Sequence, residues 1–423
     1  MIDTGDTAWM LMSTALVMIM TPGLALFYGG LVRQKNVLST FMHSFFLLAL
    51  VTVLWVTVGY SLAFAPSAGG FGLVGGLDYV FLRGVGQAPD PAYAPTIPAL
   101  LFMAFQMMFA IITPALISGA FAERKRFASF VVFAILWSIF VYSPLAHWVW
   151  GTGGWIREMG ALDFAGGTVV HVSSGVAALV AALMLGRRIR SGSERFEPHD
   201  VTMTVLGAGL LWFGWFGFNG GSALGANGLA VNAFVTTTVA AAIACVTWVA
   251  VSWLHKGHAS VVGAASGAVA GLVAITPASG FVDTSSALII GLVAGAVCYS
   301  AILLRERLKV DDALDVWAVH GVGGTWGAIA TGLFATTAVN AAGRNGLFAG
   351  NPDQLRIQLV AVAATWAFSG VATFVILKAI DVLIGLRVRH EDELLGLDLT
   401  QHGEVAYQQG RAAAPLAPEG AGS

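Results

Sequence analysis

Apolar runs of about 20 residues recur along the whole of this chain, and that is the length a helix needs to cross a bilayer. Of its 423 residues 57% are hydrophobic and only 10% are charged. A soluble domain carries about 25% charged residues, so this chain has too little polar surface to coat a globule of its size. The fold class is therefore an all-α polytopic membrane protein. Its 52 glycines agree, because small residues let membrane helices approach closely. The net charge of −2 supplies no field that would draw nucleic acid. Cys245 and Cys298 both fall inside apolar runs and read as small packing residues rather than as a disulfide or a metal site. The first residues, MIDTGDTAWM, lack a basic n-region, so no cleaved secretory signal is read there.

Eleven transmembrane spans are predicted, at about 8–30, 40–64, 98–122, 127–150, 163–185, 200–219, 228–253, 260–276, 284–304, 313–336 and 357–386. An odd number puts the termini on opposite sides, and the distribution of basic residues decides which is which. One set of alternate loops holds Arg33, Lys35, Arg124, Lys125, Arg126, Arg187, Arg188, Arg190, Arg195, Lys256, Arg305, Arg307 and Lys309, joined by Arg387, Arg389 and Arg411 after the last span. The other set holds only Arg83, Arg157, Arg344 and Arg356. The N-terminus is expected outside and the C-terminus in the cytoplasm. Lys378 falls inside the last span near its inner end, where its stem can snorkel toward the headgroups.

Spans one to five and six to ten are equal in number. Five is odd, so the second set enters the membrane from the side opposite to the first, which is the arithmetic of an inverted repeat. The halves cover about 8–196 and 198–336, helix eleven about 357–386. Residues 1–386 form the transmembrane domain and 387–423 a cytoplasmic tail. Ionisable residues inside spans are costly and tend to line pathways. Span five carries Asp163 and His171 in DFAGGTVVH, and span ten carries Asp315 and His320 in DVWAVHGVGG. A lone buried histidine is more often a hydrogen-bonded packing residue. Two at matching places in the two halves shift the weight toward function. Asp163 sits at the outer end of its span, where a carboxylate satisfies the orphan amides of a helix start. Its charge also favours a cation at the outer mouth. Asp315 has the same capping option at the start of span ten.

Taken together, several segments resemble the ammonium transporter (Amt) family: PGLALFYGGLVRQKNVLS (22–39), FQMMFAIITPALISGAFAERKRF (105–127), HWVWG (147–151), DFAGGTVVH (163–171), LWFGWFGFNGGSALGANG (211–228), DVWAVHGVGGTWG (315–327) and GLDLTQHGEVAY (396–407). The resemblance implies eleven helices in an inverted five-plus-five repeat, a homotrimer with one pore per subunit, and no cofactor. Carried over by motif, it implies an outer recruitment site of Phe109, Trp150 and Ser222, a two-ring gate of Phe109 and Phe218, and twin pore histidines His171 and His320. Tyr28, Trp215 and Thr276 match positions lining the pore or its inner half. Lone aromatics in membrane spans ordinarily pack or form an interface belt, and only the resemblance lifts these above that reading. A related Rhesus-type branch, which conducts the gas, lacks the recruitment tryptophan, and Trp150 is present here.

The residue types are coherent with ammonium as cargo. A small cation is drawn to aromatic faces as water is excluded, and Ser222 can accept one N–H. Potassium is nearly the same size, so selection must rest on directed hydrogen bonds and on the ability to lose a proton, which desolvation promotes. In the tail, RVRHEDELLGLDLTQHGEVAYQQ reads as a solvated helix end, or, by the resemblance, as an ordered lariat that couples subunits and meets a PII-type signal protein. AAAPLAPEGAGS is expected to be disordered, and GQAPDPAYAP in the second external loop to be a linker. Three rival functions weigh less. A haem protein with His171 and His320 as axial ligands is usually built on two histidine pairs. A metal-dependent intramembrane hydrolase would need an HExxH motif or a third ligand, and neither is evident. An ammonium receptor of low flux usually carries an appended signalling domain, for which a tail of about 37 residues is short.

Overall fold

The computed structural model describes residues 1–189 and 196–407. Arg190, Arg195, Arg411 and the segment 412–423 lie outside the described residues. Helical rods run through α1 (Thr4–Leu31), α2 (Gln34–Phe64), α3 (Ala99–Phe121), α4 (127–150), α5 (Gly167–Leu185), α6 (Val201–Ala223), α7 (Gly228–Lys256), α8 (Val261–Ile275), α9 (Thr284–Arg307), α10 (317–334) and α11 (Pro352–Ile384). Among the described residues nine helices are long and apolar enough to cross a membrane, with α8 a shorter apolar helix; α10 stands where span ten was predicted. Starts follow the sequence chemistry. Asp3, Asp200, Asn227, Ser260 and Asp283 each accept an amide N–H at the beginning of α1, α6, α7, α8 and α9, as N-caps do.

Two pairs of helices at corresponding places in the chain pack on one another. The first pair, α1 and α6, lie side by side, and a methyl group at Gly207 would fall on the backbone of Phe27. The fifth pair, α5 and α10, cross where Gly175 meets Gly321, so that a methyl at Gly175 would land on the Gly321 backbone, while one at Gly324 would sit 2.9 Å from the His171 Cβ. Without side chains at the crossing, the two backbones reach contact distance. Helix α11 then packs along both. In each of α5 and α10 the first turn is a π-helical turn, Gly167–Val172 and Trp317–Val322, and it carries the histidine. A third π turn, Phe216–Gly220 in α6, carries Phe218. Single π turns of this kind gather at functional sites.

Each histidine helix is capped by an aspartate eight residues upstream of its imidazole. Asp163 accepts from the backbone amides of Gly166 (2.7 Å), Gly167 (2.7 Å) and Thr168 (2.8 Å), and from the Thr168 hydroxyl. In the second half the capping residue is Asp312, which accepts from the Trp317 amide at 2.7 Å, and not Asp315 as the sequence suggested. Asp315 has a φ of +59° and turns its carboxylate to Arg305 Nε at 2.9 Å. The bond from i+5 to i is the same in both halves, and that spacing identifies the true partner of Asp163.

The loops richest in arginine and lysine converge at one end. Glu123 accepts from the Arg33 amide (2.8 Å), Arg33 Nε (3.1 Å), Asn36 Nδ2 (3.1 Å) and Arg188 Nη1 (2.9 Å), and Arg188 also forks onto Asp311. Burial would raise the Glu123 carboxyl, but Arg188 and Arg33 outweigh it and hold it below the ordinary value. Burial likewise opposes Arg188 and Arg124 at Asp311, whose carboxyl ends at about 2. The tail is ordered on this surface through two short helices, α12 (His390–Leu395) and α13 (Leu397–His402). Glu393 accepts from Arg387 (2.9 Å) and from the Ile189 amide (2.7 Å); Asp398 accepts from the Ser39 amide (2.8 Å), and the Leu397 amide donates to Asn36 (2.8 Å).

Two outcomes follow from the crossing and the caps. Gly175→Val should destabilise the purified protein by about 1–3 kcal/mol, the cost of forcing atoms into a packed contact, because its added carbons fall on the Gly321 backbone. Gly209→Ala, which meets nothing within 4 Å, should melt like wild type in detergent. Asp163→Ala orphans several buried amides and should cost about 1–3 kcal/mol, seen as a lower melting midpoint and altered Trp150 fluorescence.

A candidate conduction pathway

Three cavities lie in series. The one away from the arginine-rich loops, called outer for the expected orientation, has about 210 Å3 and is walled by Phe64, Ala92, Tyr93, Phe102, Gln106, Phe109, Val149, Trp150, Arg157, Phe164, Ser222 and Leu224. The Trp150 indole is held by its Nε1, which donates to the Asp163 carbonyl at 2.9 Å. Its ring stands edge-on to Phe109 at 6.1 Å between centroids. The Ser222 hydroxyl donates to the Phe218 carbonyl at 2.8 Å. With its proton committed there, its lone pairs remain to accept a hydrogen bond from a guest. Gln106 adds a second acceptor, since its Oε1 is buried without a partner among the described residues.

Phe109 and Phe218 close the floor of this cavity. Their rings stack at 4.2 Å with 35° between planes. Below Phe218 is a narrow passage of about 10 Å3, close to the room one water needs, lined by Met20, Leu24, Ile112, Val170, Leu211, Trp215 and the two histidines among others. His171 and His320 face each other Nδ1 to Nδ1 at 3.2 Å, with ring centroids 5.3 Å apart. His171 Nε2 is buried without a partner among the described residues. Trp215 stacks on His171 at 5.5 Å and 22° and is pinned by its Nε1, which donates to Thr276 Oγ1 at 2.8 Å. Phe27, Val269 and His320 belong to both the passage and a third, inner cavity of about 850 Å3. Tyr28, Arg188, Arg305 and Asp315 line that vestibule, and the Tyr28 hydroxyl donates to the Leu116 carbonyl at 3.0 Å.

The sequence-predicted residues therefore fall into four places. Phe109, Trp150 and Ser222 share the outer cavity; Phe218, His171, His320 and Trp215 line the passage; Tyr28 lines the inner vestibule. Asp163 and Thr276 line neither the outer cavity nor the passage. The Asp163 oxygens face amides, and its carbonyl steers Trp150; Thr276 stands behind Trp215, with its own hydroxyl donated to the Leu272 carbonyl at 2.8 Å. Sequence reasoning missed Gln106, Tyr93 and Arg157. Gln106 carries a signal, a polar side chain inside the apolar run FQMMF. Tyr93 lies in GQAPDPAYAP, which is not a plain linker: Pro89–Asp90 pairs antiparallel with Ala94–Pro98, and the hairpin lays the Tyr93 ring on Phe102 at 5.2 Å and 12°. The Tyr93 hydroxyl donates to the Phe64 carbonyl (2.9 Å) and accepts from the Thr152 amide (2.8 Å). Nothing in a Pro- and Ala-rich loop announces that return. Of the rival chemistries, a metal centre would need three clustered ligands, and among the described residues no such group occurs.

A sequence model of the Ammonium Transporter Family matches residues 8–407. The chain is 55% identical over 405 residues to the ammonium transporter of Bacillus subtilis (strain 168), covering 96% of this chain and 98% of that one. It is 50% identical to ammonium transporter Amt1 of Archaeoglobus fulgidus, over 95% of this chain and 99% of that one. Among solved structures, Saccharomyces cerevisiae Mep2 superposes with a TM-score of 0.89 at 39% identity, over 98% of this chain and 94% of Mep2. A structure titled "Sensor Amt Protein" superposes with a TM-score of 0.86 at 30% identity, over 94% and 98%. The chain is a multi-pass membrane protein and belongs to the ammonium transporter family.

Proposed function

We propose that this chain carries ammonium across the cytoplasmic membrane by holding the cation in the outer cavity, removing one proton, and passing ammonia between the paired histidines. The observation that carries the reading is the series itself: an aromatic cavity with free acceptors, a two-ring floor, and an apolar passage whose polar atoms belong to two imidazoles. In the outer cavity the Phe109 and Trp150 rings attract a cation through their faces, while Ser222, helped by Gln106, accepts its N–H groups. Beyond Phe109 and Phe218 the walls are apolar, and desolvation disfavours the charged form. Ammonium answers by becoming ammonia; potassium has no such option.

The histidine contact fixes what ammonia meets. In the neutral pair the two Nδ1 atoms share one proton, so the rings hold opposite tautomers. One Nε2 then bears hydrogen and the other is bare, which offers ammonia a donor and an acceptor within one passage. The same pair gives the separated proton a route, so one charge moves for each ammonia delivered. Trp215, held by Thr276, keeps the His171 ring plane fixed. Asp163 serves as a positioning residue for Trp150 and for the start of α5.

The domain reading supports this function. Residues 1–386 act as the transport unit, with halves about 8–196 and 198–336 related by an inverted repeat and the tail 387–423 apart from them. The convergence of Arg33, Arg124, Arg188 and Arg387 at one end supports a cytoplasmic vestibule and an outside N-terminus. Exposed apolar side chains such as Phe45, Val231 and Val375 suit lipid or neighbouring subunits of a homotrimer. The docked tail, beside the inner vestibule, suits a PII-type signal protein as a further partner. The protein works as a transporter and not as an enzyme, and its substrate emerges chemically unchanged.

Uptake of labelled methylammonium by cells lacking their own transporters tests the reading. Wild type should accumulate label. His171→Ala should lower the maximal rate about tenfold or more, as expected for losing a buried hydrogen-bond partner to a polar guest. Trp150→Ala should raise KM by a few-fold to about 30-fold, the range of a cation–π contact. An ammonium jump on a solid-supported membrane should give a transient current; uptake without current would return the reading to passive gas conduction, and current-free binding without uptake to a receptor.

A further inference from the structure

The outer cavity holds one charged side chain, and it has the wrong sign for a cation site. Arg157 lies on the short helix Trp155–Met159 that follows α4 and contributes to the cavity wall. Its Nη1 donates to the Trp150 carbonyl, and its Cζ stands 5.7 Å from the centre of the Tyr93 ring. Among the described residues no carboxylate forms an ion pair with it. The carboxylates on neighbouring elements are otherwise placed. Asp163 is committed to the α5 amides, Asp90 accepts from the Ala92 amide at 2.8 Å in the hairpin, and Glu158 follows Arg157 in an exposed position. A guanidinium that makes no ion pair among the described residues thus shares a space of about 210 Å3 with the rings and acceptors that draw a cation in.

Resting on the recruitment reading above, we propose that Arg157 is a specificity-determining residue of the outer site, whose fixed charge weakens the hold on every cation and favours the one that can shed its charge. Within one cavity of this size, guest and guanidinium lie about a Debye length apart or less, roughly 8 Å at physiological salt, so their repulsion is not screened away. Ammonium relieves that repulsion by giving up a proton, because a like charge disfavours the protonated form. Potassium and sodium carry it for as long as they stay. Arg157 thereby acts in the same direction as the apolar passage, one step earlier. The Arg157 side chain is exposed, and its hydrogen bond to the Trp150 carbonyl and its place beside the Tyr93 ring hold the charge at the rim of the cavity.

The test compares wild type, Arg157→Gln and Arg157→Lys in proteoliposomes, with labelled methylammonium as substrate and potassium as competitor, at low and at physiological ionic strength. Arg157→Gln should lower the KM for methylammonium by about three- to ten-fold at low salt, the scale of repulsion between unit charges at this range. It should also make potassium a stronger inhibitor by a similar factor, and both changes should shrink as salt is added. Arg157→Lys, which keeps the charge and loses the planar fork, should stay near wild type in KM and in potassium inhibition. An unchanged or raised KM in Arg157→Gln at low salt would overturn the proposal. So would equal loss of affinity in both variants, since that is the signature of the bond to the Trp150 carbonyl alone. Failure of the parent reading looks different: wild type itself would show no uptake, or uptake indifferent to His171→Ala.

Discussion

Two imidazoles meeting Nδ1 to Nδ1 at 3.2 Å is a demanding arrangement inside a bundle of helices, and much of the fold serves it. The rings are short, so their helices must touch. Gly175 and Gly321 permit that by removing every side-chain atom from the crossing. The contact also forces each ring to bury polar nitrogen among apolar side chains, which is costly unless partners exist. Each ring supplies one partner for the other. The remaining nitrogens are the polar points left to a guest, and His171 Nε2 is buried with no partner among the described residues. Packing and chemistry here are one constraint: the same close approach that makes a tight crossing sets two imidazoles in an apolar passage close to the size of one water.

The two ends of the passage are built from opposite materials. Outside, aromatic rings, neutral acceptors and the Arg157 guanidinium wall the cavity, and Asp163, at the start of α5, spends its oxygens on backbone amides. Inside, the vestibule is rimmed by arginines that are largely compensated: Arg188 bridges Glu123 and Asp311, and Arg305 meets Asp315. Burial weakens ion pairs unless both members are satisfied, and here each carboxylate takes several donors. The tail joins this lattice through Glu393 and Asp398, so the inner vestibule and the chain beyond α11 are held by shared charges.

Much of this was legible in the sequence. The apolar runs gave helices within a few residues of their observed ends, because a bilayer-length run of Leu, Val and Ala has little other choice. The histidines stood out because ionisable residues are rare in such runs. What was not legible depended on side-chain direction. Asp163, Asp312 and Asp315 are all aspartates near a helix start. Only the backbone shows that Asp312 makes the i+5 bond while Asp315 turns away with a positive φ. Thr276 reads as a wall residue by position, yet its hydroxyl is spent between Leu272 and the Trp215 indole. Tyr93 arrives at the outer cavity by a hairpin whose loop carries only proline, alanine and a lone aspartate. Arg157, just past HWVWG, is a loop charge by sequence, and only the fold brings it to the wall of the outer cavity.

The π turns bearing His171 and His320 have a further consequence for how this chain can change over time. A π turn is an α-helix with one surplus residue. Deleting that residue would restore an ordinary helix and swing everything on one side of the cut by about 100° relative to the other. The imidazole or its capping aspartate would then face the wrong way. Eight residues separate aspartate from histidine in each half, 163 to 171 and 312 to 320. The two windows, DFAGGTVVH and DALDVWAVH, share few residues besides their ends, and in the first Gly166, at a φ of +115°, and Thr168, which donates to Asp163, are fixed in kind. Their common length is what keeps each imidazole and its capping aspartate in register.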